Sequence, residues 1–466
     1  MNRNLKKQLL SLFLATAILL SFPVCALADT PLVSPSPFSA GYLHSAVIKE
    51  DGSLWTAGAN TYGQLGNGTD GLGESESSDI GDSADSTEFV KVLDNVKAVY
   101  AGYLSTFAID GSDALWVWGW NEGGQLGFND LENKNKPVVL LEKVSMAAPG
   151  DYHSAVVTLN GELYTFGWNQ QGQLGTGGTE NAYTPQQVLT DVRTAAVGLQ
   201  HTLAVKNDNT LWACGDNTYG QLCDGTKNSS SEFIQVMDHV QSVAATAFGT
   251  LILKTDGALW ACGYNADAVL GNGSYEDIAT PVEILSGVQQ ISASREFAAA
   301  VGKDHTLYAW GKNAYGQYGG ETSSSPLQIA ENVDLVSTGG GHLLYLQEGT
   351  VYAMGNNERG QFGLGTTDDS AVPLPLLDDV ALVPNTSAFF VHGPIVVAII
   401  VGVLVLALFA CLIVRTLRGK PSKPQKKNGA GKGHAPKDPE KELSRLSDEE
   451  LLRMAEQMNA SNEHRE

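Results

Sequence analysis

Along residues 39–383 the apolar positions come in short runs separated by small or polar residues. One stretch reads Ala40-Gly41-Tyr42-Leu43-His44-Ser45, then apolar Ala46-Val47-Ile48, a turn at Asp51-Gly52, and Leu54-Trp55-Thr56-Ala57-Gly58. Two β-rich runs around an Asp-Gly turn predict a hairpin. Pro137-Val138-Val139-Leu140 and its counterparts at 185–188 and 281–284 predict a third strand, and 96–100 and 192–197 a fourth. The run then enters Gly58-Ala59-Asn60-Thr61-Tyr62-Gly63-Gln64-Leu65-Gly66. This pattern returns with first glycines at 58, 119, 167, 215, 263, 311 and 355, most often 48 residues apart. Seven units of four strands predict an all-β, seven-bladed propeller over 39–383. Blade one lacks an obvious first strand, because Ser34-Pro35-Ser36-Pro37 stands in its place and proline cannot donate to a ladder. The segment from Pro375 to Val383 resembles the run Val92 to Val99 and is expected to supply that strand.

The periodicity changes at both ends. Residues 1–28 carry Arg3, Lys6 and Lys7, an apolar run at 9–20 and Ala26-Leu27-Ala28, which reads as a signal peptide that takes Cys25 with it. A linker at 29–38 follows. After a juxtamembrane linker at 384–394, residues 395–414 are 20 residues without a charge, long enough for a transmembrane helix. Arg415, Arg418, Lys420, Lys423, Lys426 and Lys427 then place 415–466 in the cytoplasm by the positive-inside rule. The propeller is thus expected outside a cell membrane, on a single-pass anchor. Within the tail, Ser447-Asp448-Glu449-Glu450 is a capping box that predicts a short amphipathic helix over 447–459, a docking element for a cytoplasmic partner.

Charge narrows the partners. The chain has a net charge of −22, but residues 29–392 hold 14 Lys+Arg against 42 Asp+Glu, a balance of −28. Such a surface repels phosphate backbones, so no nucleic acid is expected as a partner. Glycine, 51 of 466 residues, fits a turn-rich fold. Five cysteines without a Cys-x-x-Cys pair give no zinc or redox centre, and Cys214 and Cys262, at equivalent strand positions, read as small hydrophobes.

Candidate chemistry is sparse. His44, His153, His201 and His342 occupy one repeat position on four blades. Ring symmetry spreads them apart, so they read as structural rather than as metal ligands. Trp55, Trp116, Tyr164, Trp212, Trp260, Tyr308 and Tyr352 alternate with small residues and are expected in the core between blades. No Gly-x-Ser-x-Gly supports a catalytic triad, and no catalytic residue, cofactor or metal is assigned. Asn67, Asn228, Asn272 and Asn385 head sequons, which are glycan acceptors in a eukaryotic secretory pathway or chance products of Gly-rich turns. An acidic insert at 69–88 lacks the alternating order of an EF-hand and reads as a solvated loop.

The variable positions say more. Between the repeat's Gly and Asn stand Ala59, Trp120, Trp168, Asp216, Tyr264, Lys312 and Asn356, and the preceding loop carries Tyr42, Tyr103 and Tyr152. Both loops fall at the same end of their blades. The aromatics either form a protein-binding surface or fill the mouth of the central channel. Trp120, Trp168, Asp216, Tyr264, Tyr42, Tyr103 and Tyr152 are the candidate partner-binding residues.

The run Ala-Gly-x-x-His-Ser followed by Leu-Trp-x-x-Gly-x-Asn-x-x-Gly-Gln-Leu-Gly resembles the regulator of chromosome condensation repeat family, whose members form seven-bladed propellers. Blade five departs from it at Ala268-Val269-Leu270-Gly271, and Cys223 replaces a turn glycine in blade four. The resemblance implies the fold. The chromatin and small-GTPase partners of the family's nuclear founder do not suit an exported acidic domain, whereas secreted bacterial members include a protein inhibitor of β-lactamase. The chain therefore reads as a membrane-anchored binding scaffold, not an enzyme, that recognises an extracellular protein or a cell-surface polymer through one face. A glycan- or peptide-cleaving enzyme would need paired carboxylates at the channel, and a structural surface protein would need no ligand.

Overall fold

The structure is a computed structural model and describes residues 36–71 and 84–380. The segments expected to be a signal peptide, a membrane span and a cytoplasmic tail, and most of the acidic insert, lie outside the described residues. Blade one comprises β1 (Phe38–Ala40), β2 (His44–Ile48), β3 (Leu54–Gly58) and β4 (Ser86–Leu93), an antiparallel sheet in that order. Blade two repeats it with β5 (Val96–Ala101), β6 (Ser105–Asp110), β7 (Leu115–Gly119) and β8 (Lys134–Leu141). Five further four-stranded sheets follow, beginning at Val144, Val192, Val240, Val288 and Val333. The result is a seven-bladed, all-β propeller whose first strands line the central channel.

Burial peaks at the second strand of each blade, with the channel-lining first strand partly open and the outer strand more so. The second strand of each blade is buried along nearly its whole length, while β4 and its counterparts are half exposed. The apolar contacts run between blades: Ala46 and Ile48 of blade one pack with Val99, Ala108 and Trp118 of blade two. The Trp118 indole N–H donates to the Gln64 carbonyl at 2.9 Å. Gly66, at φ +75°, lies so close that a Cβ there would sit 2.6 Å from that indole nitrogen. The Gly-Gln-Leu-Gly turn of one blade therefore caps the third strand of the next.

That register corrects two expectations. The repeated Trp55, Trp116, Trp212 and their equivalents are only half-buried, with indole N–H groups held by Ser53, Asp110 and Thr210. The fully buried position is two residues further on, where Trp118, Phe166, Cys214, Cys262 and Trp310 stand. Cys262 is also no mere small hydrophobe. Cys223, in the turn of blade four, faces it on blade five, and the two form a disulfide with Cα atoms 5.7 Å apart, while Cys214 stays free and buried.

Ring closure differs from the expected shared strand. Residues Pro375 to Leu377 belong to the outer strand of blade seven, Ser370–Leu377. Blade one makes its own inner strand, with Phe38 opposite Val47 and Ala40 opposite Ser45. Pro37 does not prevent this, because only its N–H is missing and its carbonyl accepts the Ile48 amide at 2.7 Å. The segment following the last strand contributes one bridge, Lys49 to Val380, at the place Val96 fills opposite Asp110 in blade two. Phe38, Val47, Leu344, Phe362 and Val380 seal the joint between blades one and seven.

Candidate functional face

The face is built by one turn used seven times. In each blade the repeat asparagine is buried, and its side-chain oxygen accepts the amide five residues on, from Leu65 to Asn60 at 2.9 Å through Phe362 to Asn357 at 2.9 Å. Blade five keeps this bond, Leu270 to Asn265 at 3.0 Å, although its glutamine and first turn glycine are gone. That is why its degraded sequence still makes the turn. The residue before each asparagine donates its amide to the loop between the first two strands, as in Trp120 to Leu104, Trp168 to Tyr152 and Tyr264 to Phe248, each 2.9 Å. This recurring bond puts the two variable loops of every blade on one face.

On that face the rings fall into separate groups. Tyr62, Trp120, Tyr152 and Trp168 form an arc across blades one to three, with successive centroids 6.0, 5.4 and 5.6 Å apart. Tyr219, Phe248 and Tyr264 form a second group on blades four and five, 5.1 to 6.2 Å apart. Tyr42 and Tyr103, 4.4 Å apart, instead line the mouth of the central channel, a cavity of about 120 Å³ that Asp151 and Arg295 also line. The channel-filling alternative thus describes these two tyrosines, while Trp120, Tyr152 and Trp168 lie away from the channel wall.

Asp216 sits beneath the surface rather than on it. It is 6% exposed, and its carboxylate accepts the Thr218 hydroxyl at 2.6 Å and the Gln221 amide at 2.7 Å. A carboxylate so satisfied within its own turn has little left for a partner.

Two residues not singled out from the sequence dominate the centre. Arg295 of blade six reaches Asp151 of blade three with N and O 2.8 Å apart, and its guanidinium lies over the rings of Tyr103 at 4.7 Å and Tyr42 at 5.8 Å. Burial pushes the Asp151 carboxyl up to about 6 against the opposing pull of Arg295. The signal was present: Tyr42, Tyr103, Asp151, Leu199, Ala247, Arg295 and Gly340 share one repeat position, and two of them carry opposite charges. Only a closed ring, however, brings blades three and six within reach. Of the second aromatic group the sequence singled out only Tyr264; Tyr219 stands at a different repeat position, and Phe248 at that of Tyr152.

The histidines are joints between blades. His44 Nε2 lies 2.8 Å from Thr106 Oγ1, whose own proton goes to the Gln64 carbonyl, so the imidazole is the donor. His153 with Thr202 and His201 with Thr250 repeat this relay, and His342 meets Ser45 across the closure. Burial pushes His44 and His201 down to about 4 and His153 and His342 down to about 3, so all four are neutral at pH 7. The described end of the acidic insert is anchored: Asp85 accepts the Asn60 amide at 2.8 Å and pairs with Arg359 at 2.8 Å.

Comparison with known proteins agrees with this geometry. Residues 21–344 match the RCC1-like domain, and 348–388 match a regulator of chromosome condensation (RCC1) repeat. The "Probable E3 ubiquitin-protein ligase HERC3" of Homo sapiens is 35% identical over 126 residues, 26% of this chain and 11% of that protein. The ultraviolet-B receptor UVR8 of Arabidopsis thaliana is 35% identical over 95 residues, 20% of each. The match thus spans a fifth or less of either relative's length. Among solved structures, yeast RCC1 (Prp20) bound to Kap60 superposes with TM-score 0.62 at 18% identity, covering 72% of this chain and 87% of that one. Human WBSCR16 gives 0.60 at 21%, covering 70% and 93%. With seven sheets of one register and a family match over most of its length, the chain belongs to the RCC1-like domain family.

Proposed function

We propose that this protein is a binding scaffold that recognises a protein partner through the loop face, with the Trp120–Tyr152–Trp168 arc at the centre of the interface. The arc carries the reading. Half-buried aromatic rings on variable loops, held by a turn that does not vary, have the composition of an interface core. The yeast relative, solved with Kap60 bound, has the same fold, and its complex is consistent with a propeller used as a docking platform. The −28 balance of the middle segment favours a partner with basic surface and disfavours nucleic acid.

The same reading places the propeller outside the cell membrane on the 395–414 anchor. The buried Cys223–Cys262 disulfide supports it, because disulfides persist in oxidising compartments. An enzymatic reading finds a carboxylate pair on the face in Asp267 and Glu296, but Glu296 already holds Lys312 at 2.6 Å. The test is crosslinked capture of the partner by the wild type and by Trp120→Ala and Trp168→Ala. Each substitution is expected to weaken capture by about 2 kcal/mol or more at little cost in stability. Capture unchanged by both refutes the face. For topology, a cysteine at Ser77 should react with an impermeant label in intact cells and one at Ser461 should not, and the reverse pattern refutes the orientation.

A further inference from the structure

We propose that the cleft formed by blades four, five and six receives a basic side chain of a protein partner, with a lysine ammonium or arginine guanidinium seated among Tyr219, Phe248 and Tyr264 and facing Asp267 and Glu296. This deepens the proposed face by naming the chemistry of its partner, and it rests on that reading.

The cleft has a volume of about 270 Å³, below the usual range for small-molecule sites and suited to one side chain. Three of its walls are aromatic, with Tyr219–Tyr264, Tyr219–Phe248 and Phe248–Tyr264 centroids at 5.1, 5.5 and 6.2 Å. Aromatic walls attract cations that carry apolar stems. The charges around the cleft do not balance. Arg295 is committed to Asp151, and Lys312 to Glu296 at 2.6 Å. Asp267 has neither an ion pair nor a side-chain hydrogen bond among the described residues. Burial, and then the neighbouring Glu296, push the Asp267 carboxyl up against the smaller opposing pull of Lys312, whose ammonium is itself paired with Glu296, so the free site holds a carboxylate without a direct cationic partner. A neutral ligand would leave Asp267 without a direct ion-pair partner, and an anion would oppose it.

The pocket can be tested without the partner. Full-length protein is titrated with Nα-acetyl-L-lysine amide, followed by ligand NMR, alongside the uncharged Nα-acetyl-L-norleucine amide and choline. Saturable binding of the lysine probe, absent for norleucine, is expected to weaken at least tenfold in Asp267→Asn and in Tyr264→Ala and to hold in Glu180→Gln, which removes an exposed carboxylate elsewhere. Because the Asp267 side chain makes no hydrogen bond or ion pair among the described residues, Asp267→Asn should fold even if Tyr264→Ala does not. The proposal is overturned by equal binding of the norleucine probe, by no saturable binding of the lysine probe, or by full affinity in Asp267→Asn. Choline bound more tightly than the lysine probe also overturns it, by assigning the cleft to free quaternary ammonium ligands. Failure here with capture still dependent on Trp120 and Trp168 removes the pocket alone, whereas lysine binding without that dependence removes the face.

Discussion

Acid should loosen this propeller through its histidines, and His44 gives the cleanest measure. Its imidazole is buried and pushed down to about 4, against an ordinary value of 6.5 in the unfolded chain. The folded state therefore binds its proton less readily than the unfolded state. The stabilisation is complete above pH 6.5 and is lost as pH falls from there toward 4. At pH 5 the unfolded imidazole is almost wholly protonated and the folded one almost wholly neutral, so the loss from this residue is about 2 kcal/mol. Asp151 acts in the opposite sense. Its raised carboxyl adds stability that is full below about pH 4 and gone above about pH 6, offsetting roughly one histidine at most. With His153, His201 and His342 shifted the same way, the sum approaches the whole stability of a typical domain, about 5–15 kcal/mol, and unfolding is expected between pH 5 and 4. The assay is urea unfolding of the wild type and His44→Gln at pH 7.5 and pH 5.0, read by tryptophan fluorescence. His44→Gln loses packing and part of the bond to Thr106, so it starts less stable, but its deficit should shrink by about 2 kcal/mol at pH 5.0 because nothing at that site titrates. Equal deficits at the two pH values would show that the buried imidazole is not what acid attacks.

Other consequences are simpler to read. Trp118→Ala should cost about 3–5 kcal/mol by opening a cavity between blades one and two, whereas half-buried Trp212→Ala should cost clearly less; equal midpoints in thermal melts would refute the assigned core position. Reducing the Cys223–Cys262 bond, which spans a separation of 39 residues, should lower stability by up to about 4 kcal/mol, and a melt indifferent to reductant in the wild type would refute the pairing. A chain ending at Asp378 loses the Lys49–Asp379 ion pair and buried Val380, and should fold about 2 kcal/mol less stable by urea titration. Deleting Phe38–Ala40 should abolish cooperative unfolding, and a cooperative transition there would restore the shared-strand closure.

The number of blades, the four strands of each and the loop face were legible in the sequence, because they depend on local chemistry repeated in place. An Asp-Gly turn, an alternating strand and an asparagine that folds back on its own turn need only neighbouring residues. What escaped the sequence depends on one blade meeting the next or on closure of the ring. Cys223 and Cys262 look like unrelated substitutions until the turn of one blade is seen to cap the third strand of its neighbour. Asp151 and Arg295 are 144 positions apart and acquire a partner only across the channel, where seven equivalent positions converge. Asp216 looked like a loop-tip charge, and only the folded turn shows it spent on Thr218 and Gln221. Proline barred β1 by rule, yet a strand end can pair through a carbonyl alone. Local hydrogen bonding wrote the blade into the sequence; inter-blade packing and ring closure, which bring distant positions together, decided its core, its disulfide and the centre of its face.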